Sequence, residues 1–194
     1  MLSKKFVGSA LTCLLALVAV PGLARAQTAL SAGDSVILEM QKAYERGDRA
    51  RLQALLPQAR GHLLEPWAAY WDLRSRLAEA QPGEVQAFLA RYAGSYQEDR
   101  LRNDWLLLLG QRRDWLAFQN ELANYRMNDD REVRCYALLV EHLRSPQETP
   151  PRVVEDVRRL WHGQREADDG CKTAAERLHA AKQLPALQVW RKAR

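Results

Sequence analysis

The chain has 194 residues, 27% charged and 47% hydrophobic, which fits a globular protein and excludes a disordered polyelectrolyte. Its formal net charge of +5 and isoelectric point near 9.3 would suit a nucleic-acid binder, but the basic excess is partly a property of the first residues. Lys4 and Lys5 precede an apolar run from Phe6 to Leu23, interrupted by Pro21-Gly22 and closed by Ala24-Arg25-Ala26. This is the pattern of a secretory signal peptide over 1–26, with cleavage expected before Gln27. Its loss removes Lys4, Lys5 and Arg25 and no acid, taking +5 to +2. An excess that small over residues 27–194 is no phosphate-binding footprint, so nucleic acid is not an expected partner. The apolar core, Leu11 to Val20, is short for a bilayer span and no stop-transfer pattern follows, so no membrane span is expected after cleavage. Cys13, inside that core, is given no role.

After Gln27, apolar residues recur at helical spacing and no stretch alternates as a strand would, so the domain is expected to be all-α. Asp34 is placed to cap a helix through SVILEMQKAYER, with Val36, Ile37 or Leu38, Met40 or Gln41, and Tyr44 on its buried side. Gly47 ends that helix, Asp48 caps RARLQALL, and Pro57 stops it. Pro66 suits the first turn of PWAAYWDLRSRLAEA, whose Trp67, Tyr70, Trp71, Leu73 and Leu77 form one apolar stripe. Pro82-Gly83 breaks it, and EVQAFLARY and DRLRNDWLLLLGQR follow. Asp114 then caps WLAFQNELANY, ahead of DREVRCYALLVEHLR. SPQETPP, residues 145–151, reads as a loop, and RVVEDVRRLWHGQ as a helix. Asp168 or Asp169 with Gly170 makes the next corner, before CKTAAERLHAAKQ and a last segment from Pro185 to Arg194.

Helices of roughly 8 to 15 residues joined by corners of a few residues must pack antiparallel to their neighbours. Stacked in series, such hairpins make a superhelical solenoid. AYERGDRARLQALL and LLGQRRDWLAFQNEL echo each other as helix, Gly and Asp corner, helix. The echo has neither fixed period nor consensus, which leaves a compact irregular bundle as the alternative.

Candidate chemistry is sparse. The exported chain keeps two cysteines, Cys135 and Cys171, and in an oxidising compartment an even pair is expected to close into a disulfide. A metal site would need further ligands nearby, which His142, His162 and His179 do not supply, and a catalytic thiol would need a basic neighbour and a reducing or resolving partner. His62 and the other three histidines are expected at the surface or at helix ends. The acids at 129–130 and 168–169 read as corner and cap residues, in polar turns that cannot keep a carboxyl protonated near neutral pH. Trp67, Trp71, Trp105, Trp115 and Trp161 are expected to fill helix interfaces rather than stack on sugars. Trp190 would be exposed without a further helix to cover it. No phosphate loop, nucleophile elbow or zinc helix appears. No catalytic, metal or cofactor residue is assigned.

Several phrases occur together and in order: Pro66, Trp67, Tyr70 and Trp71; Val85, Phe88 and Leu89; Leu101, Arg102, Trp105, Leu106 and Leu109; Arg112, Asp114 and Trp115; then Cys135 with Tyr136, and Cys171. In this the chain resembles the N-terminal superhelical region of soluble lytic murein transglycosylases, over most of residues 34–194. The resemblance implies a periplasmic protein whose partners are peptidoglycan glycan strands and a C-terminal lysozyme-like domain. Such enzymes cleave the β-1,4 bond between N-acetylmuramic acid and N-acetylglucosamine and leave a 1,6-anhydro product. One glutamate of a Glu-Ser motif acts as acid and then base while the sugar's own hydroxyl attacks. The chain contains no Glu-Ser pair. Residues 27–194 are therefore expected to be a truncated, scaffold part of such an enzyme, without its catalytic module. A periplasmic helical-repeat adaptor that binds proteins and never catalyses is the alternative.

Overall fold

The computed structural model describes residues 31–192. The expected signal peptide, residues 27–30 and residues 193–194 lie outside the described residues. Among the described residues all regular structure is helical: the fold is all-α. No helix there is long and apolar enough to cross a membrane.

Helix α1 (Ala32–Glu45) is closed at its start by Ser31 rather than by Asp34. Ser31 Oγ accepts from the Asp34 N–H at 3.0 Å and the Asp34 carboxylate accepts from the Ser31 N–H at 3.1 Å, so Asp34 is the third helical residue of a reciprocal capping box. Ile37, Met40 and Ala43 form its buried stripe, while Leu38 is 41% exposed. Asp48 caps α2 (Arg49–Leu55), which ends just before Pro57 as expected, and a 3-10 turn, Leu56–Ala59, carries that proline in its first turn. Pro66 does sit in the first turn of α3 (Glu65–Ser75), which stops five residues short of the expected end. Pro82 and Gly83 open α4 (Pro82–Arg91) rather than break a helix, because a proline lacks only an N–H that a first turn leaves free.

Ser95 caps α5 (Tyr96–Arg112) and Asp114 caps α6 (Trp115–Leu122). Asp130 caps α7 (Arg131–Arg144), α8 (Pro151–Gly163) starts at a proline, and Asp168 caps α9 (Asp169–Ala180). Gly170 therefore lies inside the first turn of α9 and not in the corner. The last helix is α10 (Ala186–Lys192).

The corners after α1 and α5 share one geometry. Gly47 (φ 69°) and Arg113 (φ 62°) adopt the left-handed conformation. The following aspartates, Asp48 and Asp114, donate back to the carbonyls of Ala43 and Leu109, each at about 3 Å. This is a Schellman closure in which one aspartate both completes a helix end and caps the next helix. The glycine of the second echo, Gly110, is not at this corner: it sits within α5, where an added Cβ would come 2.4 Å from the Tyr136 ring.

Packing follows parity in the chain. The odd helices form a row, α1 on α3, α3 on α5, α5 on α7 and α7 on α9, and the last pair is the most extensive contact among the described helices. Helix α2 packs on α1 and α3, α4 on α5, α6 on α5 and α7, and α8 on α7 and α9. One apolar cluster, including Leu73, Val85, Leu101, Leu106, Phe118 and Leu139, runs through the middle, and a second, around Met40, Leu52 and Ala68, joins α1, α2 and α3. Burying such side chains stabilises each by about 1.5–3 kcal/mol relative to leaving it in water.

Candidate functional site

Helix α5 carries the densest polar chemistry. Glu98, Asp99, Arg102, Asn103 and Asp104 are all buried beside the apolar Leu101, Trp105 and Leu106. Asp99 accepts the backbone N–H groups of Arg126 (3.1 Å) and Met127 (2.6 Å). Glu98 accepts from Gly94 N–H at 2.8 Å and from the Arg102 and Arg126 guanidinium groups. Arg102 also reaches Glu121 at 2.7 Å. The Tyr125 hydroxyl donates to Asn103 Oδ1 at 2.6 Å, and Asn103 donates to Asp130 at 3.2 Å. Burial pushes the Glu98 carboxyl up, but Arg102 and the Gly94 N–H outweigh it and hold it below the ordinary glutamate value. These groups pin the loops before α5 and before α7. They are spent on structure.

On the side of α5 facing α3, Asp104 accepts from the Tyr70 hydroxyl at 2.8 Å and pairs with Arg74 Nε at 3.0 Å. Burial first, then Asp104, raises the Tyr70 hydroxyl far above an ordinary tyrosine. Over this contact runs a row of rings: Tyr44 to Trp71 at 6.3 Å, Trp71 to Trp67 at 5.9 Å, and Trp67 to Tyr96 at 5.7 Å between centroids. Tyr44, Trp67 and Trp71 are half-buried and Tyr96 is 54% exposed. Trp105 lies in the interior, whereas Trp115 and Trp161 are half-buried against it. The tryptophans thus divide between interior packing and a partly open surface.

Cys135 and Cys171 are bonded, with Cα atoms 4.8 Å apart, and tie α7 to the first turn of α9. Gly170 allows the approach, since a Cβ there would lie 2.7 Å from the Glu132 carbonyl oxygen. Beside it, the Tyr136 hydroxyl meets Asp169, and Arg113 grips the same carboxylate at 2.6 and 3.0 Å.

His142 lies at a helix end, as expected, in the last turn of α7. His142 is buried, with Nδ1 2.7 Å from Thr149 Oγ1, under the loop that follows α7. His62 meets Asp34 at 3.1 Å, and His179 Nδ1 lies 2.8 Å from the Leu184 carbonyl.

A cleft of about 290 Å³ lies between α3, α4 and the 3-10 turn. Its charges neutralise each other: Arg76 pairs with Asp72 (3.2 Å) and Glu84 (2.7 Å), and Arg91 with Glu65 (2.5 Å). The Gly61 N–H, with Tyr92 and Arg91, holds Glu65 below its usual value against the effect of burial, and Arg76 does the same for Glu84. Neither can keep the proton a general acid must deliver. At Glu132 burial prevails and raises the carboxyl, yet this group receives the Gly170 N–H at 3.2 Å and lies 3.3 Å from the Tyr136 hydroxyl inside the α7–α9 contact.

Among solved structures, the chain is similar to an inactive mutant of the lytic transglycosylase Slt from Pseudomonas aeruginosa, with 27% identity over 81% of this chain and a TM-score of 0.59. The fold is lytic-transglycosylase-like. The match covers 25% of the Slt chain, so this chain spans about a quarter of the length of the protein it resembles. No family model matches the chain and no curated protein does.

Within this lytic-transglycosylase-like fold, the residues that carried the resemblance are mostly packing residues: Val85, Phe88, Leu89, Leu101, Trp105, Leu106 and Leu109 are buried. Asp114 is a cap, and Arg102 is bound into the α5 network. Trp67 and Trp71 belong to the ring row. Tyr96 carries no local signal in the sequence, since its ring partner comes from α3, and neither do the α5 carboxylates, whose partners come from other segments of the chain.

Proposed function

We propose that this chain is the N-terminal superhelical scaffold region of a periplasmic peptidoglycan lytic transglycosylase, exported behind residues 1–26, with bond cleavage performed by a lysozyme-like module outside residues 31–192. The observation that carries this reading is the 27% identity sustained over 81% of the chain. The row of odd helices, flanked by even ones, supports a stack of hairpins that curves into a wall around glycan strands. The self-neutralised acids of the cleft and the embedded Glu132 support a role in holding substrate rather than in protonating it. On this reading the glutamate that breaks the glycosidic bond belongs to the other module, and this chain contributes surface, rigidity and the disulfide.

The test is enzymatic. Purified chain incubated with peptidoglycan releases no 1,6-anhydro muropeptides, whereas a version joined to a lysozyme-like transglycosylase module releases them, as read by mass spectrometry of the soluble products. Release by the unextended chain would overturn the scaffold assignment.

A further inference from the structure

We infer that Tyr44, Trp71, Trp67 and Tyr96, bordered by Arg74 and Arg100, form a track on which a glycan strand lies. This rests on the reading above, which supplies the polymer, and goes beyond it by assigning the contact surface.

The local sequence builds the track directly. Trp67, Trp71 and Arg74 fall at i, i+4 and i+7 of α3 and share one side of that helix with Tyr70. Tyr96 and Arg100 are one turn apart on α5, and Tyr44 comes from the last turn of α1. Tyr70 is the buried anchor beneath: its hydroxyl and Arg74 Nε converge on Asp104, and Arg100 stands beside the same hydroxyl. Tyr70, Leu73 and Leu101 are buried in the apolar cluster at this contact, and Trp67 and Trp71 pack against it. All four rings nevertheless keep part of their area in water.

Their arrangement suits saccharide chemistry. An aromatic face is electron-rich, so it attracts the C–H-bearing face of a pyranose, while the guanidinium border offers N–H donors to hydroxyl and acetamido oxygens. Three successive steps of 6.3, 5.9 and 5.7 Å cross three helices, which fits a linear polymer better than a compact ligand. Single-stranded nucleic acid also stacks on such rings, but it requires a cationic groove along its phosphates. Here Arg74 is already paired with Asp104.

The test titrates the full chain with a soluble tetramer of N-acetylglucosamine while indole N–H signals are followed by NMR, and separately measures retention on purified sacculi. The Trp67 and Trp71 signals are expected to shift and that of Trp190, on α10, to stay. Tyr96→Ala is expected to weaken retention about tenfold, the loss of one aromatic stacking contact, and Trp190→Ala to leave it unchanged. If the chain binds sacculi but Tyr96→Ala binds equally well, or the Trp67 and Trp71 signals do not move, the track is overturned and the scaffold reading stands. If the chain does not bind sacculi at all, both fall. Should Tyr96→Ala fail to fold, the shifts of the unmodified chain decide. Retention of oligothymidylate that Tyr96→Ala abolishes, without any binding of the tetramer, overturns the glycan in favour of nucleic acid.

Discussion

His142, in the last turn of α7, is 3% exposed. Burial, and then Arg177, hold its pKa below the ordinary 6.5; His162 is held down the same way by burial and by Lys192, Arg158 and Arg191. A histidine with a depressed folded pKa takes up its proton more readily in the unfolded chain. Its contribution is therefore complete above about pH 6.5 and is lost as the pH falls from there toward the folded value. The urea midpoint is expected to drop between about pH 7.5 and pH 5.5, and the pair His142→Gln and His162→Gln to flatten that slope. Carboxylates held low by their partners, such as Glu65, Glu84 and Asp169, act in a separate window below their usual values of 4.5 and 3.8. Legibility at this scale was uneven. Asp48, Asp114, Asp130 and Asp168 could be read as caps because a cap acts on an N–H three residues away. The burial of His142 depends on how residues 145–150 fold back over it, which no local pattern encodes.

Among the elements, α5 decides most. Its charged run would ordinarily mark a solvated face, yet those side chains replace water for backbone groups in the neighbouring loops. Asp99→Ala would leave the N–H groups of Arg126 and Met127 without their acceptor. That substitution is expected to cost about 3 kcal/mol, checked by chemical denaturation, and to speed amide exchange first at residues 123–130. Helix existence was legible from apolar spacing for α1 to α9, whereas 185–194 read only as a last segment. Boundaries were less so: α3 ends at Ser75, where Arg76 leaves helical geometry at φ −126°, and no proline or glycine in the sequence marks that end. A second corner motif went unread. Gly61 and Gly94, both left-handed, donate to Glu65 and Glu98 four residues on, the first residue of α3 and the third of α5. The Gly-x-x-x-Glu spacing is present in the sequence, but the left-handed backbone is what gives it meaning.

For the molecule as a whole, the Cys135–Cys171 bond closes a loop of 36 residues, and chain-entropy arguments give it about 4 kcal/mol. The double substitution Cys135→Ala with Cys171→Ala is expected to lower the melting temperature by about 10 °C. Both cysteines are fully buried. Reductant alone should leave native protein unchanged and act only once α7 and α9 part, which thiol labelling against denaturant would report.

Tyr136 is fully enclosed where α5, α7 and α9 meet, with Gly110 and Gly170 both close to its Cδ2 edge. Moving α5 would drive the Gly110 backbone toward the ring and moving α9 would drive Gly170 toward the Glu132 carbonyl, so the spacing of α5, α7 and α9 is gauged at this one point. Any enlargement at Gly110 would have to be matched by a smaller side chain at Tyr136, which couples those two positions in evolution, whereas at Gly170 it would first meet the Glu132 carbonyl oxygen, which no change of side chain can remove.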